Sequence, residues 1–517
     1  MDELHRPRYT PEILVNALSQ LPQRPLMQLT DGSTLNVGEV HDKTSQFVQV
    51  LRALGIGRQD RVALLSSNLP EVIYLCNAIQ LVEAVYVPMH PLGGQADHRF
   101  VIEDSGVDIL VFDASRHTER AAALANDVSG LRLIAIGSSD LGPDLCALAD
   151  AYSPRPLVAP KVTAKDVIRL GYSGGTTGKP KAMASTHRTG LATLQIMMAE
   201  WEWPAVPRVL VCTPLSHAGA ALFIPTLLKG GSMQVLPAFE PVAVMEAIQT
   251  HRLNCVMLVP AMIYALLDHP RFDEFDLSSL ETVFYGASAM SPVRLREAIQ
   301  KIGPVFSQFY GQAEAPMSVT VLRKHEHDVN DLRRLASCGR PVPWVDVALL
   351  DQHHQPVPDG EPGEICIRGS LVMDGYRDNP EQTADAFAGG WLHSGDVAVR
   401  DPGGYLRIID RLKDMIVTGG FNVYPREIED IIGEHPAVAQ VAVIGVVHPK
   451  WGEAVTALVV PRHGKHVSET DLIRMVSARK GAFQAPKTVE FVDDIPLTPV
   501  GKPDKKALRA RYHLRKK

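Results

Sequence analysis

Short apolar runs alternate with segments of helical period through the first four-fifths of the chain. Brief apolar runs bounded by turn-forming residues are typical of buried strands, and apolar residues three to four positions apart are typical of helices. Candidate strands occupy 61–65, 109–112, 167–172, 209–212, 255–259, 282–285 and 305–309, and candidate helices occupy 242–251 and 292–302. This alternation predicts an α/β fold with largely parallel sheets, which bind ligands beyond the carboxyl ends of their strands.

The pattern changes toward the C-terminal end. Between 345 and 369 the chain becomes β-rich with glycine turns, and after a charged segment at 410–414 a compact α+β pattern follows. Its helices are expected at 425–434 and 469–480, and its strands at 440–446, 455–460 and 488–492. We therefore predict a large N-terminal domain of stacked α/β sheets with a β-rich subdomain, residues 1–410, and a small α+β domain, residues 411–517.

Charge and hydropathy exclude two classes of protein. Lys and Arg number 52 against 58 Asp and Glu, a net charge of −6, whereas a non-specific nucleic-acid binder needs an excess of cations. The longest strongly apolar stretch, 255–267, has 13 residues and contains Pro260, and a membrane-spanning helix needs about 20. The charged N-terminal start lacks the apolar stretch of a signal peptide, so we expect a cytoplasmic protein.

The six cysteines do not form a metal or disulfide pattern in the sequence. The closest pair, Cys338 and Cys366, is separated by 28 positions. We expect reduced thiols.

The glycine-rich segment GYSGGTTGKPKA, residues 171–182, follows an apolar strand. Glycines let the backbone turn tightly and expose N–H groups to phosphate oxygens, and hydroxyls and lysines add donors and charge. This composition predicts a nucleotide-phosphate loop, with an ordinary surface turn as the alternative. A Walker loop needs Ser or Thr after the lysine, but Pro180 follows Lys179. The GxSxG elbow of hydrolases must enter a helix at once, and the extended loop with Pro180 disfavours that.

Further motifs appear in order along the chain: PLSHAGA from Pro214, GAS from Gly286, QFYGQAEAP from Gln308, LHSGDVAV from Leu392, IIDRLKD from Ile408 and GK at 501–502. Together with the glycine-rich segment, this series resembles the AMP-forming adenylating superfamily of acyl-CoA synthetases, peptide-synthetase adenylation domains and firefly luciferase. The resemblance covers most of the chain.

The resemblance implies a site for ATP and its AMP product. The residues implied to bind the nucleotide are Ser173, Gly174, Gly175, Thr176, Thr177, Gly178, Lys181, Gly286, Ala287, Ser288, Phe309, Tyr310, Gly311, Gln312, Asp396, Ile408, Arg411 and Lys502. Within this set, the Tyr310 ring suits stacking on a purine, and Asp396 would accept hydrogen bonds from both ribose hydroxyls. Glu314 and Thr177 are implied ligands of Mg²⁺. The implied catalytic residues are Lys502, His217, Glu314 and Thr177.

One position departs from the superfamily pattern. The usual YGxTE motif has a threonine whose hydroxyl reaches the α-phosphate, and this chain has Ala313 there. Gln312 or water would have to replace that donor.

The resemblance also implies an acid site, a passage for CoA and a hinge. His217, Ala218, Gly311 and Ala315 would surround the acid, and their neighbours are small, which suits an aliphatic or aromatic acid with an uncharged tail. Gly419 and Gly420 would line the passage for CoA. Lys413 lies at the hinge position, so the small domain is expected to be mobile.

The sequence therefore predicts an AMP-forming acyl-CoA synthetase that uses ATP, Mg²⁺ and CoA. Two alternatives remain open at this stage. The same chemistry would serve another acid or acceptor, such as a carrier protein, or nitrite with an amine acceptor. A protein of another class would bind nucleotide without catalysis. The oligomeric state, monomer or homodimer, is not determined.

Overall fold

A computed structural model describes residues 5–172, 181–418, 421–462, 464–498 and 503–515. The first of these segments alternates helices and strands, as the apolar pattern predicts. In chain order its elements are α1 (Thr10–Leu18), β1 (Pro25–Gln28), β2 (Thr34–Asn36), α2 (Val37–Ala53), β3 (Arg61–Leu65), α3 (Pro70–Leu81), β4 (Val85–Pro88), α4 (Gln95–Ser105), β5 (Ile109–Asp113), α5 (Thr118–Asp127), β6 (Arg132–Ile136), α6 (Leu145–Asp150) and β7 (Val167–Tyr172).

The alternation continues beyond the glycine-rich segment. The elements are β8 (Ala182–Thr186), α7 (His187–Glu200), β9 (Arg208–Val211), α8 (Phe223–Leu228), β10 (Ser232–Val235), α9 (Pro241–His251), β11 (Cys255–Leu258), α10 (Pro260–Leu267), β12 (Thr282–Tyr285), α11 (Pro292–Ile302), β13 (Phe306–Gln312), β14 (Ala315–Leu322), α12 (Leu332–Leu335) and β15 (Arg340–Pro341). Helices α3, α9, α10 and α11 each begin with proline, which is favoured in the first helical turn because its missing N–H would be unpaired there.

Two smaller units follow. The first contains β16 (Asp346–Leu350), β17 (Gly363–Arg368), α13 (Pro380–Ala386), β18 (Leu392–Arg400) and β19 (Leu406–Arg411). The second contains β20 (Ile416–Thr418), β21 (Phe421–Val423), α14 (Pro425–Gly433), β22 (Val438–His448), β23 (Gly452–Pro461), α15 (Glu469–Lys480), β24 (Thr488–Phe491) and α16 (Lys505–Arg515). A single turn of 3-10 helix, Leu412–Asp414, joins them.

Two mostly parallel sheets build the N-terminal part. Within the described residues, one has the strand order β6-β5-β3-β4-β7-β8 and the other β15-β14-β13-β12-β11-β9-β10-β1-β2. Their central strands, such as β5 and β12, are buried along their whole length, because helices cover both faces of a parallel sheet. The α/β fold with a large N-terminal domain and a smaller C-terminal one is thus confirmed.

The β-rich and C-terminal units have sheets of their own. Strands β16-β17-β18-β19 form an antiparallel sheet, as the glycine-rich turns predict, and β21-β20-β23-β22 form another, to which β24 adds in parallel to β23. The predicted strands 440–446 and 455–460 are longer in the structure. The reason is that a ladder from Val438 to His448, with one register shift between Val438 and Gln440, pairs polar as well as apolar residues of β22 with β23.

The parallel part of the larger sheet determines where the candidate site lies. Strands β9, β12 and β13 run parallel within it, so their carboxyl ends lie at one edge. The segments that leave this edge carry His217, the Gly286 turn and Glu314. Motifs about 100 residues apart in the sequence are thereby brought to one edge of a sheet.

Candidate functional site

The turn after β12 needs glycine at its first position. A Cβ on Gly286 would lie 2.4 Å from the Phe309 carbonyl oxygen, so a larger residue would push β13 away. Ala287 has a left-handed φ of 66°, and Ser288 is half-buried. Phe309 is buried and stacks on Trp201, with ring centroids 4.7 Å apart. Its side chain therefore belongs to the core.

Asp396 is a buried carboxylate held from two sides. Its Oδ2 accepts a 2.8 Å hydrogen bond from the Tyr310 hydroxyl, and its Oδ1 accepts one of 2.9 Å from Arg411 Nε. Asp396 and Arg411 are direct neighbours across β18 and β19. Burial, and next the Asp396 charge, raise the pKa of Tyr310 well above its usual value, so its hydroxyl stays a donor. The Asp396 charge chiefly raises the pKa of Arg411.

The segment of β18 that carries Asp396 is held by Glu364 of β17. Its Oε1 accepts the Gly395 N–H at 2.7 Å, and its Oε2 lies 2.6 Å from His393 Nδ1. The other ring nitrogen of His393 is 3.1 Å from the Ala388 carbonyl oxygen. Both nitrogens thus face acceptors. Gly395 needs its glycine because its φ is +73°.

Glu364 and His393 form a cluster with Cys366 that has the composition of a metal site. Their potential ligand atoms all lie within 4.8 Å of one another. However, the glutamate and the histidine are already hydrogen-bonded to each other and to backbone, and burial raises the pKa of the Cys366 thiol to about 12. We interpret the cluster as a support of the β18 segment that carries Asp396. The role of Glu364 was missed in the sequence, because nothing local marks a pairing across two strands.

Glu314 lies between β13 and β14 and is half-buried. Its Oε1 accepts a 3.0 Å hydrogen bond from the Tyr376 hydroxyl, and the Lys181 ammonium lies 4.8 Å from the centre of the Tyr376 ring. Within the described part of the chain, Glu314 makes no salt bridge. An oriented carboxylate of this kind fits Mg²⁺, which binds one or two carboxylates and keeps its remaining positions for water and phosphate. Ala313, the departure from the superfamily pattern, is exposed beside it.

His217 lies in the segment after β9 and is held as a neutral imidazole. Its Nδ1 is 2.9 Å from the Ser216 hydroxyl, and its ring packs edge-on against His90 with centroids 4.6 Å apart. Burial, with smaller effects of His90 and Arg169, lowers the pKa of His217 to about 3. A neutral imidazole can offer one N–H to an acid without bringing a charge of its own.

Two glycines in the segments that leave this edge of the sheet cannot be replaced by larger residues. Gly219 could not carry a Cβ without meeting the Thr213 carbonyl oxygen at 2.5 Å, and one on Gly311 would meet Met317 N at 2.3 Å. Ala218 and Gln312 are half-buried, and Ala315 is fully buried. Both backbone contacts keep the chain close to itself at this edge.

Asp410, near the end of β19, contacts helix α14 of the small domain beside a charged pair of that domain. Asp410 accepts hydrogen bonds from its neighbour Arg411 N and from Arg426 N of α14, at 2.7 and 2.9 Å. Lys505 of α16 pairs with Glu429 of α14 at 2.8 Å. Burial raises the pKa of Asp410 to about 6, although the Lys505 charge opposes this. Ile408 is half-buried on β19.

Several predicted site residues lie outside the described residues. They are Ser173, Gly174, Gly175, Thr176, Thr177, Gly178, Gly419, Gly420 and Lys502. Lys413 lies in the turn that joins the domains and is exposed. The roles of all of these, and the boundary at residue 411, stay predictions.

Two general predictions can be set beside the structure. All six cysteines are free thiols. In the part of the chain that is described, no helix has the length and apolarity required to span a membrane. The cytoplasmic location stays a prediction.

Comparison with known families decides what this arrangement belongs to. Residues 14–377 match the AMP-binding enzyme family, and residues 427–502 match the AMP-binding enzyme C-terminal domain. The chain belongs to the AMP-binding enzymes. The superfamily resemblance inferred from the motifs is thereby confirmed.

Relatives of this AMP-binding enzyme match it over nearly its whole length. It is 50% identical to a medium/long-chain-fatty-acid–CoA ligase, FadD8, of Mycobacterium tuberculosis, over 98% of this chain and 91% of the relative. It is 37% identical to a feruloyl-CoA synthase of an Amycolatopsis species, over 93% and 94% of the two chains. The amide bond synthetase McbA of Marinactinospora thermotolerans has a similar structure, with a TM-score of 0.88 and 32% identity over 96% of this chain and 100% of that one.

Proposed function

We propose that this AMP-binding enzyme joins a carboxylic acid to ATP as an acyl-adenylate and then transfers the acyl group to CoA. The observation that carries the proposal is the buried Asp396, held by Tyr310 and Arg411. A carboxylate with free acceptor positions suits the two adjacent hydroxyls of a ribose. Relatives over nearly the whole chain that act as CoA ligases support the same chemistry.

Two steps are needed because a carboxylate does not react with a thiol directly. In the first, a carboxylate oxygen attacks the α-phosphorus in line, an acyl–phosphate bond forms, and pyrophosphate leaves. In the second, the CoA sulfur attacks the acyl carbon, a thioester forms, and AMP leaves while the thiol proton passes to solvent. The protein contributes mostly by orienting the reactants and by neutralising charge.

Each step needs particular residues of this chain. Neutral His217 would position the acid by an N–H, while Lys181 and Lys502 would offset phosphate charge with the loop 173–178. Glu314, together with Thr177, would hold Mg²⁺, which supplies positive charge to the phosphates when bound. After adenylation, rotation near Lys413 would remove Lys502 and bring Gly419 and Gly420 to the CoA passage.

The acid is proposed to be aliphatic or aromatic. The fatty-acid and feruloyl relatives and the small residues around His217 support this class. A second candidate keeps the adenylate but transfers the acyl group to an amine, because the amide bond synthetase McbA has a similar structure at 32% identity.

The test is exchange of labelled pyrophosphate into ATP that depends on an added acid. Short, long and aromatic acids and nitrite would be compared, followed by AMP release with CoA or with amines. We expect exchange with one class of organic acid and AMP release that depends on CoA. Absence of exchange with every acid, in a protein that still binds ATP, would disprove the proposal and favour non-catalytic nucleotide binding. Release that depends on amines but not on CoA would favour the second candidate.

A further inference from the structure

A second group of polar side chains lies beside the proposed acid site. Arg169 is in the middle of β7, paired with Tyr86 of β4 and Ser185 of β8. Its Nη2 donates a 3.3 Å hydrogen bond to the carbonyl oxygen of Ser216, the residue before His217. The Arg169 guanidinium thus contacts the backbone of the segment that carries His217.

Arg169 has no carboxylate partner among the residues that the structure describes. Its Nε is buried without a hydrogen-bond partner, and none of its nitrogens forms a salt bridge with the residues that the structure describes. The adjacent segment 173–180, which is not described, contains no Asp or Glu. A buried charge is expensive unless it is paired, and buried cations are therefore normally found beside an anion.

The polar neighbours of Arg169 do not supply that anion. Burial raises the pKa of the Cys76 thiol to about 12 and that of the Tyr86 hydroxyl well above its usual value. Both groups stay neutral. Burial lowers the pKa of His217 and of its ring neighbour His90, so both imidazoles stay neutral. Among the residues that the structure describes, the polar groups named around Arg169 are therefore neutral, and the guanidinium attracts an anion.

We propose that Arg169 binds a carboxylate of the acid substrate. The inference rests on the proposed function, which brings a carboxylic acid to His217. A planar guanidinium suits this ligand because it donates two parallel hydrogen bonds to a carboxylate. The carboxylate is either the reacting one or a second one on the acid. The second case would correct the expectation of an uncharged tail.

The variants Arg169→Met and Arg169→Lys test the proposal, with Arg132→Met as the matched control. Arg132 lies on β6 of the same sheet, is exposed, and likewise donates to a backbone carbonyl, that of Leu54, at 3.2 Å. The assay is pyrophosphate exchange with octanoate and with octanedioate, giving KM for each acid and for ATP. Arg169→Met should raise the KM for an acid at least about tenfold with the KM for ATP unchanged, and Arg169→Lys should recover part of the loss.

The two acids distinguish the sources of the carboxylate. A rise in KM for both acids identifies the reacting carboxylate, and a rise for octanedioate alone identifies a second one. Equal KM values in Arg169→Met and Arg132→Met would overturn the proposal. A lower kcat at unchanged KM would also overturn it, because that pattern indicates a structural role.

Two further results are decisive. If Arg169→Met does not fold, the proposal rests on Arg169→Lys, which keeps the charge and loses the paired hydrogen bonds. An acid KM equal to that of the wild type would then overturn it. Wild-type protein without exchange for any acid would instead disprove the proposed function.

Discussion

Removing one hydroxyl, by Tyr310→Phe, tests whether the clamp on Asp396 serves the nucleotide. The substitution keeps the aromatic ring, and with it any stacking on the adenine, but it deletes the donor that lies 2.8 Å from Asp396 Oδ2. Arg411 would then hold the carboxylate alone. Because Asp396 is only 5% exposed, little water can replace the lost donor.

The size of the effect follows from the kind of bond that is lost. A hydrogen bond to a charged group contributes about 1.5–3 kcal/mol. A factor of ten corresponds to about 1.4 kcal/mol, so the loss equals about 10- to 150-fold if it falls entirely on nucleotide binding. We expect the KM for ATP to rise by about tenfold or more, since part of the loss will appear as lower stability. The KM for the acid should not change.

The assay is pyrophosphate exchange at saturating acid, together with thermal unfolding with and without ATP. Tyr285→Phe is the matched control, because Tyr285 is fully buried on the neighbouring strand β12 and its hydroxyl bonds to Gln308 and His327, at 3.2 and 2.9 Å. The control should lower Tm and leave the KM for ATP unchanged. If Tyr310→Phe behaves in the same way, the clamp on Asp396 is structural and the reasoning is refuted.

Three further predictions concern Lys502 and Lys413, the support of Asp396 by Glu364, and the buried Asp410. Lys502→Ala should abolish adenylate formation and spare thioester formation from supplied acyl-adenylate. Lys413→Pro should slow mainly the thioester step. For either variant, equal losses in both half-reactions would contradict the proposed role. Glu364→Ala should raise the KM for ATP about tenfold, because two hydrogen bonds to the β18 segment that carries Asp396 are lost. Glu364→Gln should keep a KM for ATP near the wild-type value. Equal KM values for ATP in the two variants would contradict this prediction. The glutamine keeps both contacts because its oxygen accepts from Gly395 and its amide donates to His393, which then donates from its other nitrogen to Ala388. In the folded state the pKa of Asp410 is about 6, above the ordinary value of about 3.9. The folded state therefore binds the proton more tightly than the unfolded state does. The free energy of unfolding consequently falls as pH rises between those two pKa values. Between pH 4.5 and 7.5 the free energy of unfolding should fall by about 2 kcal/mol because of Asp410. Asp410→Asn should remove this part of the pH dependence, measured by urea unfolding. Identical pH profiles of the variant and the wild type would show that the Asp410 pKa is not raised.

Much of the fold could be predicted because its signals are local. Strands β3, β7 and β12 and helix α11 have the bounds that the sequence predicts, since each is an apolar run or a helical-period segment bounded by turn residues. The predicted C-terminal end of β13 was wrong by three residues, and each predicted end of β22 was wrong by two. In both, the strand continues because an antiparallel neighbour pairs with it, and that neighbour is invisible in local periodicity.

The sequence by itself determined the family and the types of residue that the chemistry uses. Ordered motifs identify Asp396, Glu314 and His217 as candidates, because each belongs to a short segment with its own signature. The neutral state of His217, by contrast, depends on the tertiary structure. Neutral His217 and the raised pKa of Asp410 are consequences of burial, which depends on elements that are distant in the chain.

Contacts between distant segments were likewise decided by the fold alone. Glu364 of β17 supports the β18 segment that carries Asp396, and Arg169 reaches Ser216 across 47 positions of sequence. No motif marks either residue, since a hydrogen bond between two strands depends on register and packing. Residue types with a local signature can thus be read from one sequence. The partners that orient and neutralise them are determined by the packing of sheets in three dimensions.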